Sequence, residues 1–144
     1  MNTYRFSDLS VGHSERFRFS LDEGKLEAFC ALSGDCNPLH CDRDYARAAG
    51  FPEKVVYGQL TAAALSTLAG MYLPGKYSII HSIETEFRKP VFLSKCPLEV
   101  VGTVREMDER FQTMILQAEI FDTDGQKVCK AKMRVGFLTK EAAE

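Results

Sequence analysis

This chain of 144 residues has no long apolar run. Its most apolar stretch, from Leu60 to Leu73, is too short and too rich in Thr and Ser to cross a bilayer. The residues that follow Met1 also lack the apolar run of a signal peptide. We therefore expect neither a membrane-spanning segment nor a membrane partner.

Basic clusters are missing as well. Lys and Arg number 18 against 20 Asp and Glu, which gives a formal net charge of −2. Domains that bind nucleic acid usually carry a strong basic patch, so a nucleic-acid partner is excluded. An anionic ligand would have to be met by a few local basic residues.

The cysteines do not form the paired motifs of a metal site. Five of them stand at positions 30, 36, 41, 96 and 129, and an odd number without a leader predicts reduced thiols in a cytoplasmic protein. Cys36, His40 and Cys41 invite a zinc hypothesis, but they lie too close together and no second Cys pair follows. We predict no metal and no cofactor.

Repeats, low-complexity tracts and linkers are also absent. The length is that of one domain and is sufficient to bury a sizeable core. Hydrophobic residues at 45% and charged residues at 26% are ordinary for a globular protein. The sequence predicts a single domain over residues 1–144.

The periodicity of the chain changes between its two halves. The first half predicts a short strand, then three helices, of which the third is apolar nearly all round and therefore buried on most sides. The second half alternates with period two and has short turns, which predicts an antiparallel meander. The strands are predicted at residues 16–21, 79–88, 98–104, 111–121 and 129–137, and the helices at 22–32, 42–50 and 58–72. A curled antiparallel sheet wrapped around one long central helix is the α+β hot-dog architecture.

The most informative stretch places an acid and an imidazole five positions apart around a turn. Asn37 and Pro38 lie between Asp35 and His40, and Asn-Pro breaks a regular helix. A carboxylate and an imidazole that converge can polarise a water molecule, as general acid–base catalysis requires. The alternative is a plain helix end, with a C-cap turn followed by Asp42 as the cap of the next helix.

The sequence around this turn closely resembles the hydratase motif of MaoC-like dehydratases, a family that includes the R-specific enoyl-CoA hydratases. The similarity covers residues 10 to 138. The matching segments are Ser33-Gly34-Asp35-Cys36-Asn37-Pro38-Leu39-His40, Asp42, Tyr45-Ala46, Gly50-Phe51, residues 55–60, Leu73-Pro74-Gly75 and residues 87–91.

The resemblance implies that Asp35 and His40 form the catalytic pair. They would hold one water, deliver its hydroxyl to Cβ of a trans-2-enoyl thioester and supply a proton to Cα. Gly58 matches the family's helix-start glycine, whose backbone N–H forms the oxyanion hole for the thioester carbonyl. Glycine lets the thioester approach the backbone closely, and the positive N-terminal end of the helix adds a favourable electrostatic field at the carbonyl oxygen.

Three further residues, Asn37, Tyr57 and Ser66, are predicted at the substrate site. Asn37 either orients the loop by bonding to its backbone or is simply a residue that is common in turns. Ser66 matches a helix serine near the active site, although a serine inside a buried helix often bonds back to a helix carbonyl. Tyr57 and Gln59 stand where many relatives have His and Met, and we expect them to make the mouth of the pocket more polar.

The resemblance implies a hydro-lyase that hydrates enoyl thioesters reversibly to (R)-3-hydroxyacyl thioesters. The substrate would be carried by CoA or by an acyl carrier protein, and its acyl length is not determined. A lone hot-dog unit rarely buries its helix and sheet edge fully, so we expect a homodimer. Alternatives are a hot-dog thioesterase, which generally lacks the Asn-Pro-Leu-His turn, and a non-catalytic acyl-thioester-binding subunit, which should have lost Asp35 or His40.

Overall fold

The structure is a computed structural model that describes residues 1–138, so the last six residues of the predicted domain lie outside it. None of the described helices is long and apolar enough to cross a membrane. The elements are β1 (Ser14–Phe19), α1 (Glu23–Ser33), α2 (Pro38–Cys41), α3 (Arg43–Ala48), α4 (Gly58–Thr67), β2 (Ser78–Phe87), β3 (Leu98–Asp108), β4 (Thr113–Phe121) and β5 (Lys127–Phe137).

The five strands form one antiparallel sheet in the order β1-β3-β4-β5-β2. The predicted meander is confirmed for β3, β4 and β5, which follow one another across short turns. It is wrong for β2, which pairs with β5 rather than with either of its neighbours in the chain. The free edge of β5 supplies the unpaired backbone groups that β2 requires. Nothing in the local sequence of β2 indicates that β5 will be its partner.

The central helix α4 packs against the buried face of the sheet. Ala64, Leu65 and Leu68 are fully buried between the helix and the strands. A Cβ placed on Gly102 of β3 would lie only 2.6 Å from the Leu68 side chain, so glycine lets the helical segment approach the sheet closely. The chain beyond Thr67 continues as one π-helical turn, Leu68–Tyr72, before β2. The predicted α+β hot-dog architecture is confirmed.

Local signals define the helix ends that flank the motif. The side chain of Asp22 accepts a hydrogen bond from the N–H of Lys25 and caps α1. Gly34 ends α1 with φ at 74°, a left-handed conformation that favours glycine. Asp42 caps α3 by accepting from two N–H groups of its first turn. The chain between these caps carries the motif.

The prediction that all cysteines are reduced is wrong for one pair. Cys30 in the last turn of α1 is joined to Cys36 in a disulfide, with 5.6 Å between their Cα atoms. The left-handed turn at Gly34 brings the chain back beside α1, which allows the bond between residues six apart. Cys41, Cys96 and Cys129 are free thiols. Burial raises the pKa of the Cys96 and Cys129 thiols to about 11.

Candidate active site

A relay of backbone N–H groups and short polar side chains holds the loop between α1 and α2. The N–H of Asn37 donates to Oδ1 of Asp35 at 3.1 Å, and the N–H of Leu39 donates to Oδ1 of Asn37 at 2.9 Å. Pro38 occupies the first position of α2, where its missing N–H costs nothing. Asn37 therefore caps the helical turn that carries the imidazole, a bond that fits both of the roles predicted for it.

The His40 ring lies half-buried on α2, a helical turn that the sequence did not predict. Its Nδ1 lies 2.6 Å from the carbonyl oxygen of Val55. Because a carbonyl only accepts, Nδ1 carries the proton and donates it in this bond. In the tautomer that carries this proton and no second one, the lone pair of Nε2 is free for other chemistry.

Tyr57 is buried, and its side chain contacts both members of the predicted pair. Only 2% of it is exposed, so the prediction that it lies at the pocket mouth is wrong. Its hydroxyl donates to the backbone carbonyl of Asp35 at 2.6 Å, and its ring stacks on His40 with the centroids 4.1 Å apart. Burial raises the pKa of the Tyr57 hydroxyl, and the hydrogen bond with Cys41 is the second cause in the same direction. The hydroxyl therefore stays protonated and remains a donor.

Gly58 begins α4 directly after Tyr57, and no side chain caps this helix. Thr61 makes the first intrahelical bond by donating its N–H to the Tyr57 carbonyl, so the N–H of Gly58 has no partner among residues 1–138. A Cβ on Gly58 would lie 3.2 Å from the Phe87 ring, which explains glycine here by close approach. The free N–H groups and the helix dipole make this end attractive to negative charge.

His40 and Gly58 line one cleft of about 410 Å³. Most of its other walls are apolar, and Arg88 and Lys89 stand at its edge. Asp35 and Asn37 lie outside this cleft on the exposed loop, and Tyr57 joins that loop to His40. Within the described part of the chain, no three His, Cys, Asp or Glu side chains come together as metal ligands would.

Thr61 is a residue of the cleft that the sequence analysis missed. It is 1% exposed, and its hydroxyl has no hydrogen-bond partner within residues 1–138. Its position one helical turn after Gly58 was the available signal, since residues three apart share a helix face. Ser66, which was predicted at the substrate site, does not line the cleft. It is exposed on the α4 face that Gln59 and Ala63 share.

The sequence and the fold both match known proteins. The sequence profile of the MaoC like domain matches residues 10–126. The (R)-specific enoyl-CoA hydratase of Aeromonas caviae is 36% identical over 118 residues, which are 81% of this chain and 87% of that protein.

Solved structures of R-hydratases show the same fold. The (R)-hydratase from A. caviae has a TM-score of 0.81 at 33% identity and covers 90% of this chain and 97% of its own. The R-hydratase PhaJ1 from Pseudomonas aeruginosa has a TM-score of 0.86 at 28% identity and covers 97% and 92%. Because the profile spans most of the chain and the two R-hydratase structures match it nearly end to end, this chain belongs to the MaoC-like domain family.

Proposed function

We propose that this chain is a hydro-lyase that catalyses the reversible syn hydration of trans-2-enoyl thioesters to (R)-3-hydroxyacyl thioesters. One observation carries the proposal: a single buried side chain joins the Asp35 loop to the His40 ring beside the free N–H groups that begin α4. The relatives named as (R)-specific enoyl-CoA hydratase and 3-hydroxybutyryl-CoA dehydratase support this chemistry.

In this mechanism one water molecule lies between Asp35 and His40. The carboxylate accepts one hydrogen bond from the water, and Nε2 of His40 accepts the other. Nε2 takes a proton as the water oxygen bonds to Cβ, and the imidazolium returns that proton to Cα on the same face. One water is added across the double bond and the enzyme regains its starting protonation state. The reverse sequence dehydrates the 3-hydroxyacyl thioester.

Attack at Cβ places negative charge on the thioester oxygen, which must be stabilised. The unpartnered N–H of Gly58 is a preorganised donor for that oxygen. Thr61 lines the same cleft, and its buried hydroxyl is the second polar group that we assign to the bound thioester. A buried hydroxyl without a partner is costly, so a ligand that bonds to it recovers that cost.

The charge at the cleft edge fits a phosphate-bearing carrier. Arg88 and Lys89 line the cleft, and none of its described lining residues is acidic. Arg88 pairs with Glu86 at 3.2 Å, but the two side chains are 41% and 64% exposed, so this pair is weak and open to competition. CoA and the phosphopantetheine of an acyl carrier protein both present phosphate and suit this edge.

We also propose a homodimer that forms along β2. This strand is at the edge of the sheet, and Ile79, Ile83 and Phe87 on it are 40–47% exposed. An exposed apolar edge strand is a template for pairing with a second copy. Light scattering should give a dimer mass for the wild type and a monomer for Ile83→Glu, whereas Phe111→Glu, at an exposed turn, should stay dimeric. The 1–144 domain extent and a cytoplasmic location stay predictions.

The test of the reaction follows the absorbance of the conjugated enoyl thioester with crotonyl-CoA and then with longer chains. The 3-hydroxyacyl product is trapped by dehydrogenases specific for the (R) or the (S) enantiomer, and a thiol reagent reports free CoA. We expect loss of the enoyl signal without free thiol, and product detected only by the R-specific dehydrogenase.

Other outcomes would overturn the proposal. Release of free CoA at a comparable rate would indicate a thioesterase. Product detected by the S-specific dehydrogenase would contradict a single water held on one face. No change with CoA or carrier-protein thioesters would leave a non-catalytic binding subunit.

A further inference from the structure

We propose that Tyr57 is a positioning residue that sets the Asp35 loop and the His40 ring relative to the oxyanion donor at Gly58. This inference rests on the proposed hydration and assigns Tyr57 a role other than contact with substrate. The contacts that carry it come from both ends of one side chain and from its place in the chain.

The hydroxyl end of Tyr57 holds the loop. It donates to the carbonyl oxygen of Asp35 at 2.6 Å, and this carbonyl has no other donor among residues 1–138. Its oxygen also lies 3.5 Å from Sγ of Cys41, which is on the helical turn of His40. One hydroxyl therefore connects the segment before the Asn-Pro turn with the segment after it.

The ring of Tyr57 supports the imidazole. It stacks on His40 at 4.1 Å with the planes 30° apart, and it packs against Phe29 of α1 at 4.7 Å. The Val55 carbonyl, two residues earlier, fixes the same imidazole through Nδ1. His40 is thus held by a ring contact and a hydrogen bond that both come from residues 55–57.

The backbone of Tyr57 leads directly into the oxyanion donor. Gly58 is the next residue, and Tyr57 is the N-cap of α4. One buried residue, Tyr57, therefore sets the positions of the Asp35–His40 pair and of the N–H that would meet the thioester oxygen. A displacement of about 1 Å in such an arrangement can cost about 100-fold in rate, because the reacting groups must meet in a narrow geometry.

Tyr57→Phe and Tyr57→Leu separate the two ends of the side chain. The Phe variant keeps the ring against His40 and loses only the hydroxyl contacts. The Leu variant loses both. We expect kcat to fall about 10-fold in Tyr57→Phe and about 100-fold in Tyr57→Leu, with KM within about threefold of wild type, because alignment rather than substrate affinity is lost.

The matched control is Tyr4→Phe. This change removes a hydroxyl that donates to Glu15 at 2.9 Å, away from the cleft, and should leave kcat unchanged. A spectroscopic readout is independent of turnover. The nuclear Overhauser contacts of the His40 ring protons with Val55, assigned by their loss in His40→Ala, should be kept in Tyr57→Phe and lost in Tyr57→Leu.

The outcomes distinguish this inference from the proposed function. A wild-type kcat in Tyr57→Phe, an equal loss in Tyr4→Phe, or a loss confined to KM would overturn the positioning role. If the wild type hydrates no thioester, the proposed function fails, and the Overhauser contacts of His40 alone test whether Tyr57 positions the imidazole. Unchanged Overhauser contacts between His40 and Val55 in a folded Tyr57→Leu protein would show that the Tyr57 ring does not position the imidazole.

Discussion

Gly58→Pro removes the proposed oxyanion donor while the fold accepts the change. Proline has no N–H, and it is favoured at the first position of a helix, which Gly58 occupies in α4. Tyr57 has φ −53° and ψ 128°, the extended conformation that a residue before proline prefers. No intrahelical hydrogen bond is lost, because the N–H of a first helical residue has no partner in the helix.

The stability effect is small and its parts oppose each other. Replacing glycine by proline at a compatible position stabilises by about 0.4–1 kcal/mol through the unfolded chain. The added Cβ would lie 3.2 Å from the outer atoms of the Phe87 ring, so that ring must shift by a few tenths of an ångström, which costs some stability. We expect the free energy of unfolding to change by less than about 1 kcal/mol, measured by urea denaturation.

Gly58→Ala is the matched control, because it adds the same Cβ and keeps the N–H. Loss of one oxyanion-hole donor costs about 10²–10³ in kcat, or about 2.7–4 kcal/mol. We expect kcat for crotonyl-CoA in Gly58→Pro to be lower than in Gly58→Ala by about this factor, with similar KM. Equal kcat in the two folded variants would refute the reasoning and return Gly58 to a packing role.

Three further predictions follow from the site. Asp35→Asn and His40→Ala should each lower kcat about 10²–10⁴-fold with unchanged circular dichroism, and the double variant should be little worse, because the pair acts as one unit. Thr61→Val should leave the urea midpoint unchanged or higher and lower kcat/KM about 10-fold, since a buried hydroxyl without a partner contributes only when substrate bonds to it. Because Cys30 and Cys36 are joined, unfolded protein without reductant should titrate three thiols of five.

Each of these has a contrary result. Near wild-type turnover in a folded Asp35→Asn or His40→Ala protein would remove the pair from the mechanism. A lower urea midpoint in Thr61→Val with unaltered kcat/KM would give this residue a packing role. Five thiols titrated before reduction would restore the original expectation of a fully reduced chain.

Features that depend on residues close in sequence were predictable from the sequence alone. The period-two pattern after residue 78, the caps at Asp22 and Asp42 and the apolar helix that begins at Gly58 all appear in the fold. Capping and periodicity involve partners within a few positions, so the residues themselves specify them. The same holds for the Asn37 relay, whose bonds join residues two apart.

Contacts between distant segments were decided only by the tertiary structure. Tyr57 reaches the Asp35 carbonyl across 22 positions, and Nδ1 of His40 reaches Val55 across 15. The pairing of β2 with β5 is of the same kind. Such contacts depend on how helices and strands pack against one another. The type of a side chain does not predict which distant residue will lie beside it. The sequence therefore determined the chemistry available in the motif, and packing decided which atoms hold it in place.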